Sequence, residues 1–132
     1  MLIVRGESRL AAEEVLRRAR GRGIVLLNPG KVGSLEELEL AYALAKKSIA
    51  GGKAVSEKME VEFVLWLAGK RDIRRAFEEV GWNGKGKELI AVSFGMWRKE
   101  LFAELELREK KLGLNEEAGW EAVERISLSR II

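Results

Sequence analysis

Hydrophobic positions fall into helical stripes over most of the chain and into short continuous runs elsewhere. The densest stretch is 54–82. Val61 to Ala68 is almost continuously apolar, and from Arg71 to Val80 the apolar residues Ile73, Ala76, Phe77 and Val80 recur at i, i+3, i+4 and i+7. That spacing puts a single stripe on a helix. Gly69 separates the two halves and Gly81 closes the second, so the stretch predicts a helix, a glycine break and another helix. A helix as apolar as the first belongs in a core.

Further stripes and runs flank this hairpin. Leu10, Ala11, Val15, Leu16 and Ala19 predict a helix over about 9–20, with Ser8 as its cap. Leu35, Leu38, Tyr42, Ala45 and Ile49 line one side of a helix over 35–49, and Leu40 and Leu44 lie off that side. Ser34 with Glu37 forms a capping box at its start, and Ser56 is expected to cap the central helix. Leu2–Val4, ended by Arg5-Gly6, Ile24–Leu27 and Glu88–Phe94 read as strands. Trp97 to Leu105 reads as a helix, while 106–114 is ambiguous between helix continuation and a short strand. Asn115 is expected to cap a last helix carrying Trp120, Val123 and Ile126 on one face. The apolar ending, Ser127 to Ile132, is expected to dock. The order predicts one helix-rich domain over 1–132, of α/β or α+β-like class, with a sheet of three or four strands.

Composition narrows the chemistry. The chain has 132 residues, 47% of them apolar and 34% charged, with a net charge of +3. Asp72 is the single Asp beside 20 Glu, and there is no Cys, His, Thr or Gln. Without Cys or His there is no disulfide, zinc knuckle, thiolate nucleophile, imidazole metal site or Ser-His-Asp triad. Heavy use of Glu, Lys and Arg is a thermophile-like pattern. No run approaches a membrane span, and the N-terminal run lacks the charge order of a signal peptide, so a cytoplasmic location is expected. The stretch Lys31-Val32-Gly33-Ser34 follows a strand and a turn at Asn28-Pro29-Gly30, yet it lacks the Lys-Ser or Lys-Thr pair of a phosphate-binding loop. Arg17, Arg18, Arg20 and Arg22 gather at a helix end, where they either complement the helix dipole or contact phosphate.

Several blocks in order resemble the CGI-type small subunit of the KEOPS complex, the family that includes the PRPK-binding protein TPRKB. They are Arg5-Gly6, Leu27-Asn28 with Val32 and Ser34, Ala54-Val55-Ser56, Met59-Glu60, Gly69-x-Arg71-x-Ile73-x-x-Ala76 with Gly81, and Val123 to Ile126. They cover about 1–82 and 119–132; Asn83 to Ala118 is shorter and less matched than the family pattern. The resemblance implies a non-catalytic subunit, monomeric outside the complex and without cofactor or metal. Such subunits bind the N-lobe of a small atypical kinase and hold the 3′ CCA end of tRNA during synthesis of threonylcarbamoyl-adenosine.

On that basis the kinase-facing residues are expected to be Ile73, Phe77 and Val80. The tRNA-binding residues are expected among Lys53, Lys58, Lys70, Arg71, Arg74 and Arg75, with Trp82 as a possible base-stacking platform or a core residue. Two competing expectations remain open for the same residues. The apolar stripe packs in the core, and the basic residues form a solvated face paired with Glu62, Glu78 and Glu79. Alternative functions are a protein-binding adaptor without RNA binding, or a small nucleotide-modifying enzyme using Glu and Lys.

Overall fold

The computed structural model describes residues 1–130. In chain order the elements are β1 Leu2–Ser8, α1 Ala12–Gly21, β2 Val25–Leu27, α2 Leu35–Ala50, α3 Met59–Ala68, α4 Ile73–Val80, β3 Glu88–Ser93, α5 Arg98–Leu105, β4 Leu107–Lys110 and α6 Trp120–Ser127. Among the described residues there are thus six α-helices, a 3-10 turn at Pro29–Lys31 and one four-stranded sheet of order β2-β3-β1-β4, every strand pairing antiparallel. The expected helix-rich α+β class and small sheet are borne out. The chain divides into two compact units, Met1–Pro29 with Gly81–Gly113, and Gly30–Val80 with the chain from Leu114 onward.

The first unit holds the sheet with α1 and α5. Alternation along β1 turns Leu2 and Val4 to the side where Val15, Ala19, Leu101 and Leu105 of the two helices form a core with Leu89, Ala91 and Trp82. β1 does not stop at Arg5-Gly6 as expected but runs on to Ser8. The reason is non-local: β4 pairs with residues 5–8, from Arg5 opposite Lys110 to Ser8 opposite Leu107. Gly6 suits that strand because a Cβ there would lie 2.7 Å from the Arg108 carbonyl oxygen. Ser8 consequently does not cap α1. Its hydroxyl donates to the Leu105 carbonyl at 2.5 Å and accepts from the Leu10 N–H at 3.0 Å. The ambiguous stretch resolves into β4, reached through Glu106 in the left-handed region at φ 47°.

The second unit is helical. Every residue of α3 from Glu62 to Ala68 is buried, as an all-round apolar helix requires, and α2, α4 and α6 pack on it. Ser34 caps α2 as expected, accepting the Glu37 N–H at 3.2 Å. The Glu37 side chain departs from the usual capping box. Its Oε2 accepts from the Ser34 hydroxyl at 2.8 Å and its Oε1 from Arg125 of α6 at 3.0 Å. Asn115 does not cap α6, which starts only at Trp120. Instead the carbonyls of Asn115 and Glu116 take the Leu35 and Glu36 N–H groups at 2.8 and 3.0 Å, satisfying donors that a helix start leaves open. Of the apolar ending expected to dock, Ile131 and Ile132 lie outside the described residues.

Candidate binding surface

The turn between α3 and α4 is built from three sequence features. Gly69 has φ 67°, and its N–H and that of Lys70 return to the Trp66 and Leu65 carbonyls at 3.1 and 3.0 Å, a Schellman ending. A Cβ on Gly69 would meet the Arg125 carbonyl oxygen at 2.8 Å, so both the backbone conformation and the approach of α6 call for glycine here. Asp72, the one Asp of the chain, then accepts the Arg75 N–H at 3.1 Å. This N-cap starts α4 at Ile73, two residues after the expected Arg71.

The apolar stripe of α4 is divided. Ala76 is fully buried and Val80 is 4% exposed, whereas Ile73 is 45% and Phe77 37% exposed. Successive residues turn by about 100° on a helix, which sets Ala76 and Val80 to one side of the stripe and Ile73 and Phe77 to the other. Neither expectation for the stripe holds as a whole. Val80 is corrected from a surface residue to a core residue, because its side of the helix faces inward. Ile73 and Phe77 remain as an exposed apolar ridge.

All six basic candidates are exposed, but they form two groups. Lys53 and Lys58 lie before the start of α3, and Lys70, Arg71, Arg74 and Arg75 lie beyond its end. Ten helical residues, about 15 Å, separate the groups. Arg74 pairs with Glu78 at 3.1 Å in a solvated i,i+4 bridge, a kind of pair that water and salt screen to a small contribution. Lys53, Lys58, Lys70, Arg71 and Arg75 have no ion pair among the described residues.

Glu62 does not belong to that solvated face. It is completely buried, and its carboxylate collects a dense set of donors. Ser48 Oγ donates at 2.6 Å, the Val55 and Ser56 N–H groups at 3.1 and 3.2 Å, and Trp66 Nε1 at 3.1 Å. Arg130 Nη1 donates at 2.5 Å. Burial pushes the Glu62 carboxyl upward, but the hydrogen bonds from Arg130, Ser48 and Ser56 outweigh it and hold the group below its usual range. This network fixes the 54–58 loop that carries Lys58. It also explains why Ser56 does not cap α3: its N–H is held by Glu62, its hydroxyl accepts the Lys58 N–H at 3.2 Å, and α3 begins only at Met59. The signal in the sequence was a lone acid inside an apolar octet, which the helical stripe overshadowed.

No family model and no curated protein matches this chain. Trp82 is 9% exposed, and its Nε1 donates to the Gly86 carbonyl at 3.0 Å, so it is a core residue and not a platform. The arginines at the end of α1 are largely engaged: Arg17 and Arg18 with Glu14, Arg18 also with Glu106, and Arg22 with Glu100 and Glu104. Among the described residues no group of acids gathers in a way that would hold a metal ion, and no helix is long and apolar enough to cross a membrane. Among the described residues Trp97 and Trp120 are the most exposed large apolar side chains, at 78% and 73%, although Trp120 is expected on one face with Val123 and with Ile126, which is buried. Helical stripes assign such residues to faces, but only packing decides which faces are covered.

Proposed function

We propose that this chain is a non-catalytic binding subunit of the KEOPS type, cytoplasmic and monomeric outside its complex. In this reading it docks a small atypical kinase through α4 and holds the 3′ CCA end of tRNA, in support of threonylcarbamoyl-adenosine synthesis. The observation that carries the reading is the exposed pair Ile73 and Phe77, on a capped helix whose other apolar residues are buried. A few apolar anchors of this kind dominate the energy of protein interfaces. Lys70 and Arg71, in the turn that leads into the ridge, and Arg75, on the far side of α4, have no ion pair among the described residues and suit a phosphate backbone.

The test is co-elution with the cognate kinase. Phe77→Glu abolishes it and leaves the chain folded; retained co-elution with this variant overturns the kinase reading. For RNA, intact tRNA binds more tightly than tRNA lacking its CCA end, and binding weakens with salt. Equal affinity for the two tRNAs overturns that half of the proposal.

A second reading, a protein-binding adaptor without RNA affinity, is favoured by one observation. The basic candidates are split between the two ends of α3, and Arg74 is already paired. Arg71→Glu separates the readings, since it weakens tRNA binding only in the first.

A further inference from the structure

We propose that the outer edge of β4 takes up an extended segment of a partner protein, with acidic and apolar residues in alternation, as a fifth strand of the sheet. The proposal concerns the first unit and does not depend on the role given to α4.

The edge is open. Among the described residues β4 ends the sheet and pairs with β1 alone. The Arg9 N–H donates to the Glu106 carbonyl at 3.2 Å, which makes 9 and 106 a hydrogen-bonded pair. Antiparallel alternation then turns the backbone groups of Arg108 and Lys110 toward β1, and those of Leu107 and Glu109 outward. Among the described residues these outward groups have no backbone partner. Main-chain bonds to such an edge, with pockets for alternate side chains, are the general mode of strand addition.

Beside the edge lies a cleft of about 350 Å³ lined by Arg98, Lys99, Phe102, Leu107 and Glu109. Arg98 covers the Phe102 ring at 4.9 Å and pairs with Glu109. Trp97, at the start of α5, is 78% exposed. An apolar side chain of an added strand, on the face shared with Leu107, fits this cleft.

Charge selects the occupant. Of the acids of this region, Glu100 and Glu104 are claimed by Arg22, Glu106 by Arg18 and Glu109 by Arg98, while Glu7 of β1 lies opposite Arg108 and offsets one of the cations. Lys99, Arg108, Lys110 and Lys111 have no ion pair among the described residues, so the edge carries uncompensated positive charge. Arg108 and Lys110 lie on the face opposite the cleft. Acidic residues of an added strand would face them while apolar residues alternate toward Leu107. A second copy of the chain is a poor occupant. A twofold axis at Arg108 sets Arg108 opposite Arg108, with Glu106 opposite Lys110, and one at Glu109 sets Glu109 opposite Glu109 with Arg108 opposite Lys110; like charges directly opposite are destabilising.

The experiment titrates the full isotope-labelled chain with a short capped peptide of alternating glutamate and valine or leucine. Binding shifts the amide resonances of Leu107 and Glu109, and Lys110→Glu weakens it. N-methylation of the peptide at residues whose N–H faces β4 lowers affinity about tenfold or more, while methylation at the intervening residues does not. The proposal is overturned by absence of peptide binding, by equal affinity of the two methylated peptides, by equal binding of a lysine-for-glutamate peptide, or by a uridine-rich RNA oligonucleotide displacing the peptide from the cleft.

Discussion

The guanidinium of Arg130 lies over the indole of Trp66, 4.1 Å from the ring centroid, while its Nη1 holds the buried carboxylate of Glu62 at 2.5 Å. One cation from the last described turn thus anchors both an aromatic ring and an acid of the central helix. The ion pair is desolvated, so removing either partner leaves a buried charge without compensation.

Glu62→Gln is therefore expected to destabilise the chain by about 3 kcal/mol or more, measured by urea denaturation at neutral pH. The pH dependence has a definite sign. The folded carboxyl is held below its usual value, so its contribution is complete above the unfolded carboxylate range and is lost as pH falls through the folded value. Wild-type stability should drop more steeply than that of Glu62→Gln on acidification. Parallel profiles would count against the network.

A second titration is local. Hydrogen bonds from Arg17 and then Arg18 hold the Glu14 carboxyl at about 2, against an ordinary 4.5. Its stabilising effect is full above 4.5 and disappears as pH falls toward 2. In Arg17→Ala the carboxyl resonance of Glu14 should titrate at a higher pH than in the wild type.

Two glycines separate backbone conformation from packing. A Cβ added to Gly52, with φ 69°, would meet nothing within 4 Å, whereas one added to Gly69, with φ 67°, would run into the Arg125 backbone. Gly52→Ala should cost about 1 kcal/mol, the left-handed penalty alone. Gly69→Ala should cost about 2–4 kcal/mol, because α6 must also shift. Equal denaturation midpoints would show that α6 does not restrict this turn.

On α4 the two sides of one stripe should respond differently. Val80→Asp buries an unpaired charge and should cost about 3 kcal/mol or more. Phe77→Ser loses only part of an exposed ring and should cost about 1–2 kcal/mol. Thermal melts of the two variants test the division directly, without any partner.

The central hairpin was legible because its signals are local: an apolar octet, a glycine stop, an amphipathic repeat and a glycine end. The capping role of Ser34 and the core role of α3 followed from spacing alone. Ser8, Ser56 and Asn115 were misread as caps for one shared reason. A polar side chain before a helix is a cap only when no other partner claims it or the adjoining backbone. Leu105, Glu62 and the first N–H groups of α2 made those competing claims.

By itself, then, the sequence determined the helix-rich α+β class, the buried central helix and the residue types that chemistry here can use. Periodicity, turn residues and composition are properties of neighbours in the chain. Only the tertiary structure decided that Glu62 is buried with Arg130, that Val80 faces inward while Ile73 and Phe77 do not, and that β4 offers an open edge. Each of these depends on contacts between residues far apart in sequence, where burial and pairing are fixed by whichever distant group arrives.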